Sequence, residues 1–285
     1  MLGLLMLSGI AIADVAEKTV KLPGGLGKGV LFMDEDLDRT TAGVIVVHEW
    51  WGLNDYARNR ARLLAEEGYV ALAVDMYGDG QVASHPKDAK AFMEQALSEP
   101  EKLTARFNAA KTILRDQQYV DDERIFAVGY CFGGGVVLEQ ARKGNDLAGV
   151  ASFHGTLGTN QRAGEGDIDA RVLVATGQAD PMVPADQVSA LVEELTQAGA
   201  SRCLLTISAC FLCSPSFDSR YIELYIKLFI ELYVELYIKL YIELYIELYI
   251  VLYIELFIEL YIELYIVLYI ELYIELYIEL YIELY

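Results

Sequence analysis

The sequence predicts an α/β protein: a mostly parallel sheet with helices on both faces, cut short at its C-terminal end and followed by a low-complexity tail. Three observations predict it. Short β-branched runs alternate with stretches of helical apolar spacing between residues 44 and 198, the pattern of consecutive βαβ units. A Gly-x-Cys-x-Gly turn, Gly129-Tyr130-Cys131-Phe132-Gly133, falls where a strand passes into a helix. The chain then changes material: composition is ordinary up to about Arg202, whereas from Tyr221 the unit Tyr-Ile-Glu-Leu repeats 16 times and ends on Tyr285.

Taken in order, Leu2 to Ile12 is apolar, and Ala11-Ile12-Ala13 is an A-x-A site before Asp14. Residues 1–13 are therefore expected to be a signal peptide, and the mature chain to be exported to the periplasm or beyond. The basic segment that opens such a signal is missing, so a start further upstream is expected. The apolar stretch is too short to span a bilayer, which needs about 20 residues.

Val44 to His48 reads as a buried strand and Asn54 to Glu67 as a helix stopped by Gly68. Tyr69 to Asp75 is the next strand, followed by helices around Lys87–Leu97 and Glu101–Gln117. Ile125 to Tyr130 is a strand leading through the cysteine turn into a helix over Gly133–Arg142. Strands at Ala148–Phe153 and Arg171–Thr176 and a helix at Ala185–Ala198 complete the alternation. Loops after the strand ends are where such a sheet places its site. The domain is expected over residues 14–202 and incomplete. Cys203 to Ile207 could form one more strand, while residues 203–220 read as a divergent linker.

The tail distorts the bulk composition. The net charge is −20, and the tail's 12 Glu and 2 Lys supply half of it. The body is still acidic, which argues against nucleic acid, because phosphate binding needs clustered Lys and Arg. It argues equally against an anionic membrane surface. One cysteine in the body, Cys131, is not a disulfide scaffold. Cys210-x-x-Cys213 has no second ligand pair nearby, so neither a metal nor any other cofactor is expected.

As a helix, a four-residue unit turns about 400°, so each stripe drifts by about 40° per repeat and no face stays apolar. Glu at i and i+4 adds like-charge repulsion. As a strand, Ile and Leu share one face and Tyr and Glu the other, yet residues 221–285 contain no Gly or Pro to turn. A membrane span fails because no stretch free of Glu and Lys in the tail is longer than Leu248 to Ile254. The departures (Lys227, Lys239, Val251, Val267, Phe229, Phe257 and Val234) are each one nucleotide away from the repeat. The segment therefore reads as a 12-nucleotide tandem repeat from a frameshift, fusion or assembly event. The functional alternative is a tail that self-associates, since alternating apolar strands without Pro aggregate.

Strand, Gly-x-Cys-x-Gly and helix together read as a nucleophile elbow. The sharp turn lifts the side chain above the sheet, and small residues let the backbones approach. The helix N-terminus favours a thiolate. Cys131 is thus the candidate nucleophile and the Phe132 N–H a candidate oxyanion donor. Asp180, in Thr176-Gly177-Gln178-Ala179-Asp180-Pro181, follows a later strand, in the order expected of a triad acid; a lone loop aspartate before proline could equally serve a turn or cap, but with the elbow present the catalytic reading is favoured. His48-Glu49-Trp50-Trp51-Gly52-Leu53-Asn54 follows the first strong strand, where a loop can supply the second oxyanion N–H. Trp50 and Trp51 would wall an acyl pocket.

With these segments in place, residues 20–201 resemble the dienelactone hydrolase family of α/β-hydrolases. The likeness is carried by the 48–54 segment, Val74-Asp75-Met76-Tyr77-Gly78, Gly129–Gly135 and Gly177–Pro184. It implies Cys131 as nucleophile, Asp180 as triad acid, the N–H groups of Trp50 and Phe132 as oxyanion hole, and Glu49 as partner of the resting thiol. Trp51, Tyr77 and His154 would line the pocket. The reading Ser152-Phe153-His154-Gly155 is similar to the family's exported branch. The substrates implied are small esters or lactones.

Two departures stand out against that likeness. The dienelactone-cleaving members carry an arginine two residues after the position of Tyr77, and here Asp79 stands there, a charge that would repel a carboxylate substrate. The family's catalytic histidine lies in a loop past the strand after Gly199, but no histidine follows His154. His48 and His154 both end strands at the edge that carries Cys131, so either could approach it; a structural or pocket-lining role is the plainer reading. His85, before Pro86, reads as a surface residue. The expectation is a cysteine-dependent ester or lactone hydrolase impaired by loss of its base, or else a non-catalytic product whose tail drives association.

Overall fold

A computed structural model describes residues 14–177 and 180–207, with residues 203–207 described by backbone alone. The expected signal peptide, the linker beyond Ile207 and the Tyr-Ile-Glu-Leu repeat lie outside the described residues, as do Gln178, Ala179, Cys210 and Cys213.

The strands are β1 (Val15–Leu22), β2 (Gly27–Asp34), β3 (Thr41–Val47), β4 (Val70–Val74), β5 (Val120–Tyr130), β6 (Gly149–Phe153), β7 (Arg171–Gly177) and β8 (Arg202–Ile207). The helices are α1 (Asp55–Glu66), α2 (Pro86–Leu97), α3 (Pro100–Arg115), α4 (Phe132–Arg142) and α5 (Ala185–Gln197). All eight strands form one sheet in the order β1-β2-β4-β3-β5-β6-β7-β8. β1 and β2 are antiparallel, β2 meets β4 antiparallel, and every later pairing is parallel.

Burial explains why the inner strands were readable and the edge strand β1 was not. β3, β4 and β6 are buried at every position, as parallel strands covered on both faces must be, and their sequences are continuous apolar runs. β1 reads VAEKTVKL with most positions open to solvent; an antiparallel edge strand has no such run to announce it. α1 starts where Asn54 Oδ1 accepts the Ala57 N–H at 3.1 Å, an ordinary N-cap. It lays Ala57, Ala61, Leu64 and Ala65 on the sheet at helical spacing. α4 is buried along nearly its whole length.

The sequence places the end of the folded body at Arg202, but the sheet continues. Arg202–Ile207 pairs in parallel with Val172–Gly177, so the strand that the sequence offers as an option at Cys203–Ile207 is formed, and it is the last among the described residues. The strand order reverses at β3, which has β4 on one side and β5 on the other. In a parallel sheet the crevice outside the strand ends at such a reversal is where ligands bind. His48 follows β3 and Cys131 follows β5, so both flank that crevice. No helix among the described residues is long and apolar enough to cross a membrane.

Candidate active site

Among the described residues, two that are not glycine have positive φ: Cys131 at 52° and His154 at 42°. Both directly follow strands that pair, with Tyr130 opposite Phe153. Backbone strain of this kind persists only where the surroundings impose it, and it gathers at functional sites. At Cys131 the cause is visible. Its N–H donates to the Phe153 carbonyl at 3.0 Å, and its own carbonyl accepts the Gly134 N–H at 3.0 Å. The strand hydrogen bonding thus continues through the residue that opens α4, and the chain must turn sharply there. A side chain on Gly129 would run into the Gly133 carbonyl, and one on Gly133 into the Val47 carbonyl. Both glycines are needed because backbones meet at those points. Phe132 is the first residue of α4, so the helix itself leaves its N–H unclaimed.

Glu49 and His154 stand together at the same strand edge, with His154 Nε2 3.5 Å from Glu49 Oε1. Cys131, on the neighbouring strand end, acts on the same ring and favours its charged form. Burial opposes a charge on this ring, but the hydrogen bonds to Cys131 and Glu49, and their negative charge, outweigh it and raise His154 to about 9. The ring is therefore an imidazolium at neutral pH.

His48 is the opposite case. It is fully buried. Its Nδ1 is 2.5 Å from the Glu49 carbonyl, and its Nε2 accepts the Met76 N–H at 3.1 Å. Those partners fix the tautomer, with the proton on Nδ1. Burial drives its pKa down, against the hydrogen bond to the Glu49 backbone and the charges of Asp75 and Glu49. A neutral ring with both nitrogens engaged ties the end of β3 to the segment after β4. It packs edge-on to Tyr77 at 4.8 Å and stacks at 5.9 Å on Phe132.

Tyr77 is buried, and its hydroxyl donates to the Trp50 carbonyl at 2.8 Å, which pins the backbone of the expected oxyanion loop. Burial first, then the nearby Cys131 and Asp75 charges, hold the phenol protonated well above its ordinary range. Trp50 and Trp51 stand edge to face at 5.2 Å. Asp180 is buried beside the start of α5. Its Oδ1 accepts the Met182 N–H at 2.8 Å, so it organises its own turn as an aspartate before proline commonly does. Asp79 is exposed.

Two supporting residues were not singled out by the sequence. Asp75, fully buried, accepts the N–H groups of Tyr77 and Gly78 at 3.0 Å and of Gly80 at 2.7 Å. Arg106 donates to the carbonyls of Leu26 at 3.0 Å and Met76 at 2.8 Å. Together they shape the loop that carries Tyr77. An aspartate immediately after an apolar strand was the available signal for the first. The second joins residues 80 apart in sequence, and nothing local marks it.

A mostly parallel sheet with a strained cysteine elbow at its switch point defines the α/β-hydrolase class. The protein-family model described as the dienelactone hydrolase family matches residues 28–205. The chain belongs to that family. It is 30% identical over 162 residues to the protein named usf of Aquifex pyrophilus, a match covering 55% of this chain and 69% of that one. A protein of Aquifex aeolicus provisionally named a carboxymethylenebutenolidase is 28% identical over 164 residues, with the same shares covered. Among solved structures, a dienelactone hydrolase-like promiscuous phosphotriesterase, P91, from metagenomic libraries superposes with a TM-score of 0.63 at 33% identity. That match covers 68% of this chain and 81% of P91.

Proposed function

We propose that the chain cleaves small esters or lactones through attack by the Cys131 sulfur and a thioester intermediate. The observation that carries this reading is the strained Cys131, φ 52°, at the β5–α4 turn, in a member of a hydrolase family. Phe132 and Trp50 would supply the N–H groups that receive the developing oxyanion. Trp51 and Tyr77 would line the acyl pocket, and Glu49 would stand beside the nucleophile. Asp79 stands exposed near the loop that carries Tyr77 and disfavours anionic substrates, so uncharged esters and lactones fit better than a dienelactone carboxylate.

Asp180 would serve as the triad acid, yet no histidine follows it in the sequence. Losing one triad member leaves roughly 10³–10⁴-fold catalysis over water. Turnover of a neutral aryl ester is thus expected to be several orders of magnitude below that of an intact triad. The test is ester, lactone and aryl phosphotriester hydrolysis by the purified chain, with Cys131→Ala beside it. Turnover that Cys131→Ala leaves intact would remove this reading.

The missing histidine and the repeat favour one second reading, a non-catalytic product that associates through residues 221–285. Size measurement of the full chain against a chain ending after β8 separates the two: under this second reading, association disappears with the tail. Export of the mature chain from Asp14 is also proposed, on the Ala11-Ile12-Ala13 site, and the N-terminal sequence of the secreted product tests it.

A further inference from the structure

The family's usual histidine is absent, but the strand edge that carries Cys131 is not without one. β5 and β6 pair in parallel up to Tyr130 and Phe153, so the next residue of each strand, Cys131 and His154, leaves the sheet side by side. Both are held at positive φ. The His154 N–H donates to the Ala175 carbonyl at 2.8 Å, which anchors the ring's backbone on β7 while Cys131 is anchored on Phe153. The ring stands 3.5 Å from Glu49 Oε1, and Cys131 lies on the adjoining strand end, one residue past the Tyr130–Phe153 pair, close enough to favour the ring's charge.

We propose that His154, braced by Glu49, is the acid–base partner of Cys131 in this chain, serving from the end of β6 in place of the histidine absent after β8. The inference rests on the hydrolase reading above. An imidazolium in contact with a sulfur is the arrangement in which the sulfur attacks as thiolate. The sulfur bonds to the substrate carbonyl carbon, the bond from that carbon to the leaving oxygen breaks, and the leaving alkoxide takes the proton of His154. The neutral ring then takes a proton from water as its oxygen attacks the thioester carbon. The carbon–sulfur bond breaks, the acid departs, and the thiolate–imidazolium pair is restored. Glu49 holds the ring and stabilises its charged form, as a third member does in other triads.

The other ionisable groups of this edge do not compete for the role. His48 has both nitrogens engaged with backbone. Tyr77 is held protonated and donates to Trp50. Asp75 accepts three loop N–H groups, and Asp180, on the loop after β7, accepts from Met182. The groups that set the charge of His154 are Cys131 and Glu49.

The experiment compares the full chain with His154→Gln, His154→Asn and Glu49→Gln, each checked for its melting transition, with His85→Gln as the distant control. Two readouts are taken: aryl ester turnover, and iodoacetamide alkylation of the Cys131 peptide followed by mass spectrometry across pH 5–10. The expected result for His154→Gln is a fall in remaining turnover of about 100-fold, the lower range for general acid–base catalysis. Its Cys131 alkylation at pH 7 should slow by about tenfold or more and rise with pH. Turnover of the unsubstituted chain should decline as pH passes about 9, where His154 loses its proton. A folded His154→Gln or His154→Asn whose turnover and alkylation profile match the parent overturns the assignment while leaving Cys131 as nucleophile. Should both variants fail to melt cooperatively, the parent's own profile decides, because turnover still rising through pH 9 to 10 also overturns it. Loss of the hydrolase reading shows separately, as turnover indifferent to Cys131→Ala.

Discussion

Two strand ends of one sheet each carry a histidine, and the protein uses them in opposite ways. After β3, His48 is enclosed, neutral and bonded at both nitrogens to backbone groups. After β6, His154 reaches two ionisable side chains, Cys131 and Glu49, and is held charged up to about pH 9. The residue type and the place in the sheet are the same. The partner differs: backbone dipoles in a dry pocket fix a neutral tautomer, whereas anions at the edge of the crevice fix a proton. A place at a strand end beside the crevice therefore does not by itself make a histidine a base.

The β6 end also depends on a distant brace that the β3 end lacks. Arg142 and Glu194, both nearly inaccessible, pair through Nε to Oε1 at 2.9 Å and Nη2 to Oε2 at 3.0 Å. Arg142 also donates to the Leu157 carbonyl at 2.8 Å, and Glu194 accepts the Ala163 N–H at 3.0 Å. The pair thus joins α4, α5 and the segment that follows His154. Arg142→Ala leaves Glu194 buried and unpaired, which costs about 3–5 kcal/mol. This is the largest effect expected, and urea denaturation measures it. A loss below about 1 kcal/mol would mean that the segment after His154 does not depend on that brace.

His48→Ala comes next. It strands the Met76 N–H and the Glu49 carbonyl and opens a cavity against Tyr77 and Phe132, for a loss of about 2–4 kcal/mol. Measured above pH 9, where the charge of His154 no longer contributes, His154→Gln should cost far less stability than His48→Ala, while below that pH it changes turnover far more. If the two substitutions destabilise equally, the contrast between a structural and a chemical histidine fails.

The same contrast predicts pH dependences of opposite sign. His154 has a folded pKa of about 9, above an unfolded value of about 6.5. Its contribution is therefore fully present below pH 6.5 and lost as pH rises through about 9, on the order of 3 kcal/mol. His48 is lowered in the folded state, so its contribution is present above about pH 6.5 and lost as pH falls below it. Melting temperatures of the full chain and of His154→Gln between pH 5 and 10 separate the two slopes. The variant should lose the decline between pH 6.5 and 9 and keep the acid one.

Much of this arrangement was legible in the chain. The elbow from Gly129 to Gly133 announces itself because backbone crowding leaves no alternative to glycine, and β3, β4 and β6 because full burial demands apolar runs. β1 gave no such pattern, being an antiparallel strand at the sheet margin, while β2, with its short run Val30–Met33, was not picked out although it is half buried. β8 was legible as Cys203–Ile207 only as an option, since residues 208–220 carry no clear period to frame it. The histidines were placed correctly at one strand edge, but their roles were not readable. What separates them is a bond from Met76, 28 residues away, and a carboxylate brought over from another strand end. Both are tertiary facts. Arg142 and Glu194, 52 residues apart, were silent for the same reason.

The third histidine supplies the smallest effect and the reference point for the other two. His85 is exposed, as the sequence suggests, but it is not idle: its Nδ1 accepts the Lys87 N–H at 3.2 Å and caps α2 ahead of Pro86. A cap of this kind satisfies one N–H that the helix leaves free. His85→Ala should therefore cost about 0.5–1 kcal/mol, at the low end for a lost cap because the bond is long and solvent-facing. His85→Asn should restore it, since asparagine caps better than any non-polar residue. Neither change should move turnover or the alkylation of Cys131. A shift in the alkylation profile with His85→Asn would mean that histidines remote from the sheet edge also set the reactivity of that sulfur, and the distinction between His48 and His154 would lose its geometric basis.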